Sequence, residues 1–257
     1  MTKIIFFDFD NTLYSHTTSS FPKSSIKALK KLKEKGILTY LCTGRALLEL
    51  DNFDMRDVVL DGMILSSGQV VISNSEGLLY EKTIEGELKD VLIRLFNEKT
   101  FPIYFCTPHD MILNYCNATV RHVQSAISSG VPEVKPYNNE KIYMASAFFD
   151  EDKTLKEIMA LKDQAEITIW HEGALDIVPK GMSKVSGIKA VCEHYNIPVE
   201  ETMCFGDGDN DITMLDYCGT SIAMGNAPDF VKEHADYICD HIDKDGLAKA
   251  LKHFKLI

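Results

Sequence analysis

The most constraining feature of the sequence is an alternation of strands and helices that fills both ends of the chain and breaks off in the middle. The apolar run from Lys3 to Phe7 is typical of a buried parallel strand. The apolar spacing predicts a helix between Pro22 and Gly36, and Ile37–Cys42 is a second apolar strand. Strict alternation returns after Lys184. The two ends therefore predict a doubly wound, mainly parallel, Rossmann-like α/β sheet.

The middle of the chain follows a different pattern. Short strands at Met63–Leu65, Val70–Ser73 and Leu78–Lys82 lie close together, and the helices and strands beyond them come in clumps. This arrangement favours an inserted α+β unit. We expect residues 1–82 and 181–257 to form one core and residues 83–180 to form the insertion.

Composition limits the partners of the chain. It carries 27 Lys and Arg against 38 Asp and Glu, a net charge of −11, so nucleic acid and anionic lipid are unfavourable partners. No apolar run approaches the roughly 20 residues that span a bilayer, so we expect no membrane partner. Seven cysteines without a CxxC pair favour reduced thiols in the cytoplasm, and the run before Asp8 is too short for a signal peptide. Composition leaves the oligomeric state open between monomer and weak dimer.

Polar residues stand at the ends of several predicted strands. They are Asp8 and Asp10 after the first strand, Thr43 after the second, and Asp207, Asn210 and Asp211 after the strand at Met203–Phe205. Lys184 opens a helix of the same core. Because ligands of open α/β sheets bind beyond the carboxyl ends of the strands, we expect these groups to meet in one crevice.

The residue types in these clusters indicate phosphoryl chemistry. Several neighbouring carboxylates stay ionised only beside a cation, and hard oxygen ligands suit Mg²⁺. A carboxylate such as Asp8 beside that metal can attack phosphorus, and a second such as Asp10 can protonate the leaving oxygen and then activate water. Thr43 and Lys184 offer a hydroxyl and a cation to the phosphoryl oxygens.

Each cluster taken alone also has a purely structural interpretation. A pair of acids at a strand end is often a solvated turn, and Thr43-Gly44-Arg45 can be a plain turn. Lys184 can be a surface lysine, and Gly206–Asp209 can be a solvated loop or a fragment of a calcium loop. Trp170-His171-Glu172 beside a predicted hairpin turn is either structural or a substrate contact. The joint order of the four core clusters favours function.

These motifs together resemble the haloacid dehalogenase-like superfamily of phosphotransferases, and within it the Cof-type branch with a large inserted α/β cap. The segments that carry the resemblance are Asp8–Leu13, Thr43-Gly44-Arg45, Pro179–Lys184, Gly206–Asp211 with Met214-Leu215, and Ala223–Ala227. Asn11 departs from the Gly usual in the first motif, and Ser67-Gly68-Gln69 stands where many relatives have Asn-Gly-Ala. Asn tolerates a left-handed backbone, so the turn at Asn11 can survive.

The resemblance implies roles for individual residues. Asp8 would be the nucleophile and Asp10 the acid and base. The metal site would comprise Asp8, the Asp10 backbone carbonyl, Asp207 and Asp211, the last in a supporting role. The phosphoryl group would be bound by Thr43, Gly44, Arg45, Lys184 and Asn210, with the spacing favouring Lys184 over its neighbour Lys180.

We therefore expect a Mg²⁺-dependent phosphatase that acts on a small phosphorylated metabolite through an aspartyl phosphate, with a cap that closes over the site and selects the substrate. A phosphomutase of the same superfamily is the nearest alternative. A signalling or sensing module phosphorylated on Asp8 is a second, and a catalytically inactive binding protein is disfavoured because no core motif is missing. Sugar phosphates, flavin or pyridoxal phosphates and nucleotides all remain open as substrates.

Overall fold

The computed structural model describes residues 2–257, which form two compact units. The core unit runs from the N-terminus to Gly44 and also contains Asp54–Tyr80 and Lys184–Ile257. The cap unit contains Arg45–Phe53 and Glu81–Ser183. Arg45–Phe53 thus groups with the insertion, whereas the sequence interpretation assigned it to the core.

Strands and helices alternate near both ends of the chain, whereas in its middle several strands follow one another directly. In order, the strands are β1 (Ile4–Phe7), β2 (Leu38–Cys42), β3 (Gly62–Leu65), β4 (Val70–Ser73), β5 (Gly77–Glu81), β6 (Ile103–Cys106), β7 (Met111–Leu113), β8 (Glu133–Val134), β9 (Met144–Phe148), β10 (Ala165–His171), β11 (Ala174–Pro179), β12 (Thr202–Gly206), β13 (Ser221–Ala223) and β14 (Tyr237–Ile238). The α-helices are α1 (Lys23–Glu34), α2 (Leu47–Leu50), α3 (Gly86–Glu98), α4 (Ala118–Ala126), α5 (Asp152–Met159), α6 (Lys184–Tyr195), α7 (Ile212–Tyr217), α8 (Asp229–Lys232) and α9 (Gly246–His253).

The core unit is built on a sheet with the order β14-β13-β12-β1-β2-β3-β4-β5. The strands from β14 to β3 are parallel, and β4 reverses direction against β3. Every residue of Ile4–Phe7 is fully buried, as expected for the middle strand of a sheet covered on both faces. Asp8 directly follows this strand, so the first acidic motif lies at the carboxyl edge of the sheet.

The cap unit is built on a second sheet with the order β10-β11-β9-β6-β7-β8. The pairs from β10 to β7 are antiparallel, so alternate residues face opposite sides. One side packs against α3 and α5 through residues such as Leu92, Phe105 and Ile158. The other side carries Tyr104, Phe148 and Val178 and lies against α4.

The architecture confirms the predicted doubly wound α/β sheet with an inserted α+β unit. Two short elements, α2 and β8, were not predicted, because four and two residues are too few to carry a periodic pattern. Among residues 2–257, no helix is both long enough and apolar enough to cross a membrane.

Candidate active site

Asp8 lies at the carboxyl edge of the core sheet, between two neighbouring strands. Strand β1 pairs in parallel with β12 and β2, with Phe7 opposite both Phe205 and Leu41. The Asp8 amide donates to the carbonyl of Phe205 at 2.9 Å, which continues the ladder by one residue. The register therefore brings the residues that follow β1, β2 and β12 to the same edge.

Lys184 joins two of the predicted acids. Its Nζ lies 2.6 Å from Asp8 Oδ1 and 2.6 Å from Asp211 Oδ1. The three side chains are buried, with Lys184 1% and Asp8 4% exposed. Burial alone would lower the pKa of Lys184, but the carboxylates of Asp211 and Asp8 outweigh it and raise that pKa, so the ammonium stays charged. The pKa of Asp8 is raised well above its usual value by burial and by Asp211, in spite of the lysine.

Backbone amides hold the second carboxylate oxygen of Asp211, the one that Lys184 does not contact. Its Oδ2 accepts the backbone N–H groups of Asp207 at 2.9 Å and Gly208 at 3.0 Å. Gly206 makes this approach possible, since a Cβ at that position would lie 2.6 Å from the Asp211 Cβ. The Asp211 side chain therefore lies between the end of β12 and Lys184, and both of its carboxylate oxygens accept hydrogen bonds.

Asp207 is positioned by two neutral donors. Thr12 Oγ1 donates to its Oδ1 at 3.2 Å, and Asn226 Nδ2 donates to its Oδ2 at 3.1 Å. Burial and then Asp211 raise the pKa of Asp207 to about 7, and these donors offset only part of the rise. Asn226 also donates to the Asn11 carbonyl at 2.9 Å, which ties the first motif to the loop after β13.

The carboxylates of this edge fit a divalent metal ion. Asp8, Asp207 and Asp211 each offer an oxygen, and these oxygens lie within 4.8 Å of one another. All the donors are hard oxygens, and the one lysine leaves the three acids with excess negative charge. Burial, and after it the neighbouring Asp211 carboxylate, raise the pKa of Asp207, and a bound cation would supply the compensating charge. The Asp10 carboxylate is not part of this group.

Asp10 points to a different partner. Its Oδ1 lies 2.6 Å from His16 Nε2, and both side chains are partly exposed. The intervening turn passes through Asn11, whose φ of 55° lies in the left-handed region. The departure from Gly is thus accommodated by a residue that tolerates this conformation, as the sequence predicted.

The remaining predicted phosphate ligands divide between the two units. Thr43 follows β2 and is buried, with its amide bonded to the Ile64 carbonyl at 2.9 Å. Gly44 and Asn210 also belong to the core unit and are half-buried.

Arg45 instead belongs to the cap unit. Its Nη2 donates to the Ile127 carbonyl at 3.0 Å, and its guanidinium lies 4.9 Å from the centroid of the Phe53 ring. Lys180, the neighbour disfavoured by spacing, pairs with Glu166 in the same unit. The structure thus gathers Asp8, Lys184, Asp207 and Asp211 into one cluster.

Sequence reasoning missed several supporting residues. Thr12 and Asn226 lie inside motifs that the sequence singled out, so a search for short polar residues in those motifs could have found them. His16 lies six residues beyond Asp10 without a pattern that links the two, and only the fold of the turn brings them together.

The fold and this cluster define a hydrolase of the haloacid dehalogenase-like family, whose pattern matches residues 5–251. The chain belongs to that family, and the expectation of a phosphatase-type enzyme is confirmed by the family and by the phosphatases among its relatives.

Individual relatives cover the chain from end to end. YkrA of Bacillus subtilis (strain 168), provisionally named a phosphatase, is 30% identical over 264 residues, covering 100% of this chain and 99% of its own. The solved structure of BT1666, a phosphatase from Bacteroides thetaiotaomicron, matches with a TM-score of 0.89 at 31% identity and covers 100% of this chain and 96% of its own. The structure of BT4131, described as a subclass IIB sugar phosphatase, matches with a TM-score of 0.87 at 31% identity over 100% of both chains.

Proposed function

We propose that this protein is a Mg²⁺-dependent phosphatase that hydrolyses a phosphomonoester of a small metabolite through an aspartyl phosphate on Asp8. The observation that carries the proposal is the buried bridge from Lys184 to Asp8 and Asp211 at the carboxyl edge of the core sheet. A buried lysine that fixes one oxygen of a carboxylate, in a cluster of further acids, is a costly arrangement for a purely structural site.

The proposed reaction has two steps. An Asp8 carboxylate oxygen attacks phosphorus, and the bond from phosphorus to the ester oxygen breaks as Asp10 gives its proton to that oxygen. Water then attacks the same phosphorus and gives a proton to Asp10, which frees inorganic phosphate and restores the Asp8 carboxylate. Within residues 2–257, no hydrogen bond reaches Asp8 Oδ2, so Lys184 orients the side chain while this oxygen stays available.

The charges around Asp8 suit this chemistry. Lys184 offers a permanent positive charge to the transferring group, and Thr43 and Asn210 are the proposed neutral ligands of its oxygens. Gly44 and Arg45 remain proposed contacts of the phosphoryl group. Asp211 is assigned a positioning role, because its oxygens are bonded to Lys184 and to backbone amides.

The proposed magnesium ligands are Asp8, Asp207 and the backbone carbonyl of Asp10, with Asp211 in support. When bound, Mg²⁺ would neutralise the acids and screen the nucleophile from the incoming phosphate. Thr12 and Asn226 would keep Asp207 oriented for this task.

The test is phosphate release by the purified protein from a panel of phosphate esters, with and without Mg²⁺. Release of inorganic phosphate from monoesters, with transient acid-stable label on Asp8 from ³²P substrate, supports the proposal. Transfer of the label to a second sugar hydroxyl instead of water would indicate a mutase. A stable phosphoprotein without turnover would indicate a signalling module.

A further inference from the structure

Two reversals of the chain between β1 and α1 bring His16 back onto Asp10. Asp10 and Tyr14 form an isolated bridge, and the backbones of Ser15 and Ser20 exchange hydrogen bonds of 3.0 and 3.2 Å. The His16 ring then lies beside the Asp10 side chain, with its Nε2 2.6 Å from Oδ1. All of these residues belong to the core unit, so the contact is defined within that unit alone.

Aromatic packing fixes the ring of His16. This ring lies nearly perpendicular to the Tyr14 ring, with centroids 5.4 Å apart and an interplanar angle of 78°. Tyr14 is stacked on Phe9 at 5.6 Å and lies nearly perpendicular to Phe21 at 5.1 Å. Both Phe9 and Tyr14 are buried, so the core supports the histidine from below the surface.

Asn11 adds a link between the acidic motif and His16. Its Oδ1 accepts the backbone N–H of His16 at 3.4 Å, and its carbonyl accepts from Asn226 Nδ2 at 2.9 Å. The Gly that is usual at this position has no side-chain oxygen, so it could not accept the His16 N–H. The departure at Asn11 therefore ties the residue after Asp10 to the residue that contacts Asp10.

The exposure of the contact between His16 and Asp10 argues against a purely structural role. The two side chains are 24% and 37% exposed, and ion pairs this accessible to solvent stabilise proteins only weakly. The contact has a clearer consequence for orientation. A partly exposed aspartate can adopt several staggered rotamers, whereas a group that transfers a proton must stay within hydrogen-bond reach of the oxygen that it serves.

We infer that His16 is a positioning residue that holds the Asp10 carboxyl in the orientation from which it protonates the ester oxygen and then deprotonates water. The inference rests on the proposed function, in which Asp10 is the acid and base. An imidazole suits both steps, because a ring nitrogen can accept a hydrogen bond from the protonated carboxyl and donate one to the carboxylate. The proton moves between Asp10 and the reacting oxygens, and His16 gains and loses none.

Leaving groups of different acidity separate a misplaced Asp10 from a general loss of activity. Phenyl, 4-nitrophenyl and 2,4-dinitrophenyl phosphate share one ring, and each added nitro group makes the departing phenolate more stable. The phenyl ester needs the proton from Asp10 when its P–O bond breaks, whereas the dinitrophenyl ester can leave without it. The values of kcat/KM for the three esters, measured with Mg²⁺, therefore report how well Asp10 is placed.

His16→Ala removes the contact, and His16→Gln keeps an amide that can donate to Asp10 or accept from it. We expect His16→Ala to lower kcat/KM for phenyl phosphate roughly 10- to 100-fold, part of the roughly 100- to 10,000-fold that general acid catalysis supplies. The value for 2,4-dinitrophenyl phosphate should stay within about 2-fold of the wild type, and His16→Gln should restore most of the loss on the phenyl ester. An equal loss on all three esters, or no loss on any, would overturn the inference.

A second histidine of the core unit provides the matched control. His234 Nδ1 lies 2.8 Å from Asp216 Oδ1, and both side chains are exposed. His234→Ala thus removes the same kind of contact away from the acidic motif, and it should leave kcat/KM for all three esters unchanged.

A double-mutant cycle shows whether His16 acts through Asp10. Alone, His16→Ala should lower kcat/KM for 4-nitrophenyl phosphate by an intermediate factor of about 3- to 10-fold. In the Asp10→Ala background it should have no further effect, because the group that it positions is gone. A further loss of the same size in that background would overturn the inference.

Asn11→Gly gives a second, independent measurement. Glycine adopts the φ of 55° at this position without strain, so the change removes the side-chain oxygen that accepts the His16 N–H. It should lower kcat/KM for phenyl phosphate about 2- to 5-fold and leave 2,4-dinitrophenyl phosphate unaffected. If the wild-type protein with Mg²⁺ releases no phosphate from any of the three esters, the proposed function fails. If the wild type is active and His16→Ala lowers all three esters equally, only the role of His16 fails.

Discussion

Lys184 lies 2.6 Å from Asp8 although 176 residues separate them in the sequence. The contact joins the first residue of α6 to the residue that follows β1, and it places the lysine beside the proposed nucleophile. Because the three side chains are buried, loss of Lys184 would leave the carboxylates of Asp8 and Asp211 without their cation in a poorly solvated site.

Replacement of Lys184 by Met should therefore destabilise the protein as well as inactivate it. We expect the free energy of unfolding to fall by about 3–5 kcal/mol, the range for breaking a buried ion pair from one side. Urea unfolding of the metal-free protein measures this value. Lys180→Met, which removes an exposed lysine, should change it by less than about 0.5 kcal/mol, and equal losses in both variants would argue against the buried bridge.

Asp8→Asn should separate catalysis from folding. It keeps the shape of the side chain and removes the nucleophile, so phosphate release should fall at least about 1,000-fold. Its thermal midpoint should be equal to or above that of the wild type, because burial already raises the pKa of Asp8 and disfavours its charge. Asp209→Asn, at an exposed acid nearby, is the control. More than a few per cent of wild-type turnover in Asp8→Asn would reject this nucleophile.

Removal of Mg²⁺ should abolish phosphate release and lower the thermal midpoint, because a bound ion stabilises the folded state by mass action. Asp207→Asn should lose most of the Mg²⁺-induced shift, whereas Asp229→Asn, at a side chain that is 98% exposed, should keep it. The pKa of Asp207 is about 7 without metal, so Mg²⁺ must displace a proton at lower pH, and its affinity should rise as pH increases through 7. Differential scanning fluorimetry across pH and Mg²⁺ concentration checks both statements. Full activity in excess chelator would contradict the metal role.

Gly206→Ala tests whether the position of Asp211 depends on its close approach to Gly206. The added Cβ would lie 2.6 Å from the Asp211 Cβ and 2.8 Å from its Oδ2, so the side chain must move away from Lys184. We expect a loss of about 1–3 kcal/mol in the free energy of unfolding, together with a fall in kcat. Gly130→Ala is a suitable control, since a Cβ there meets nothing within 4 Å. A Gly206→Ala protein with wild-type stability and kcat would show that Asp211 does not depend on this close approach.

The Asp176 carboxyl should make the stability of the cap unit depend on pH. Burial raises its pKa to about 7, a rise that Glu49 reinforces and that Ser146 and Trp170 only partly offset. Its folded-state pKa lies above the unfolded value, so the protonated carboxyl contributes to the free energy of unfolding. This contribution is complete below about pH 4 and is lost as the pH rises to 7. The slope is at most about 1.4 kcal/mol per pH unit.

Asp176→Asn removes this titration. Between pH 5 and 7.5, the wild-type free energy of unfolding should fall relative to that of Asp176→Asn. Denaturant unfolding of the two proteins at several pH values measures the difference. A difference that does not change with pH would contradict the raised pKa.

Much of the core was predictable because its signals are local. The run Ile4–Phe7 followed by Asp8 already indicates a buried strand with an acid at its carboxyl end, and parallel pairing then brings Asp207 to the same edge. Lys184 was predicted from the segment Pro179–Lys184, which spans only a few residues. None of these inferences required knowledge of side-chain contacts over a long range.

The sequence alone determined the alternating core, the insertion and the acids that gather around Lys184, since strand periodicity and short motifs are encoded in neighbouring residues. Only the tertiary structure decided that Arg45 groups with the cap unit and that Tyr104, Ser146, Asp176 and Thr168 lie in one row. The row depends on the register of four strands, and a shift of one residue in any of them would turn its polar side chain to the other face. That register is set by packing between distant segments, so no local pattern could reveal it.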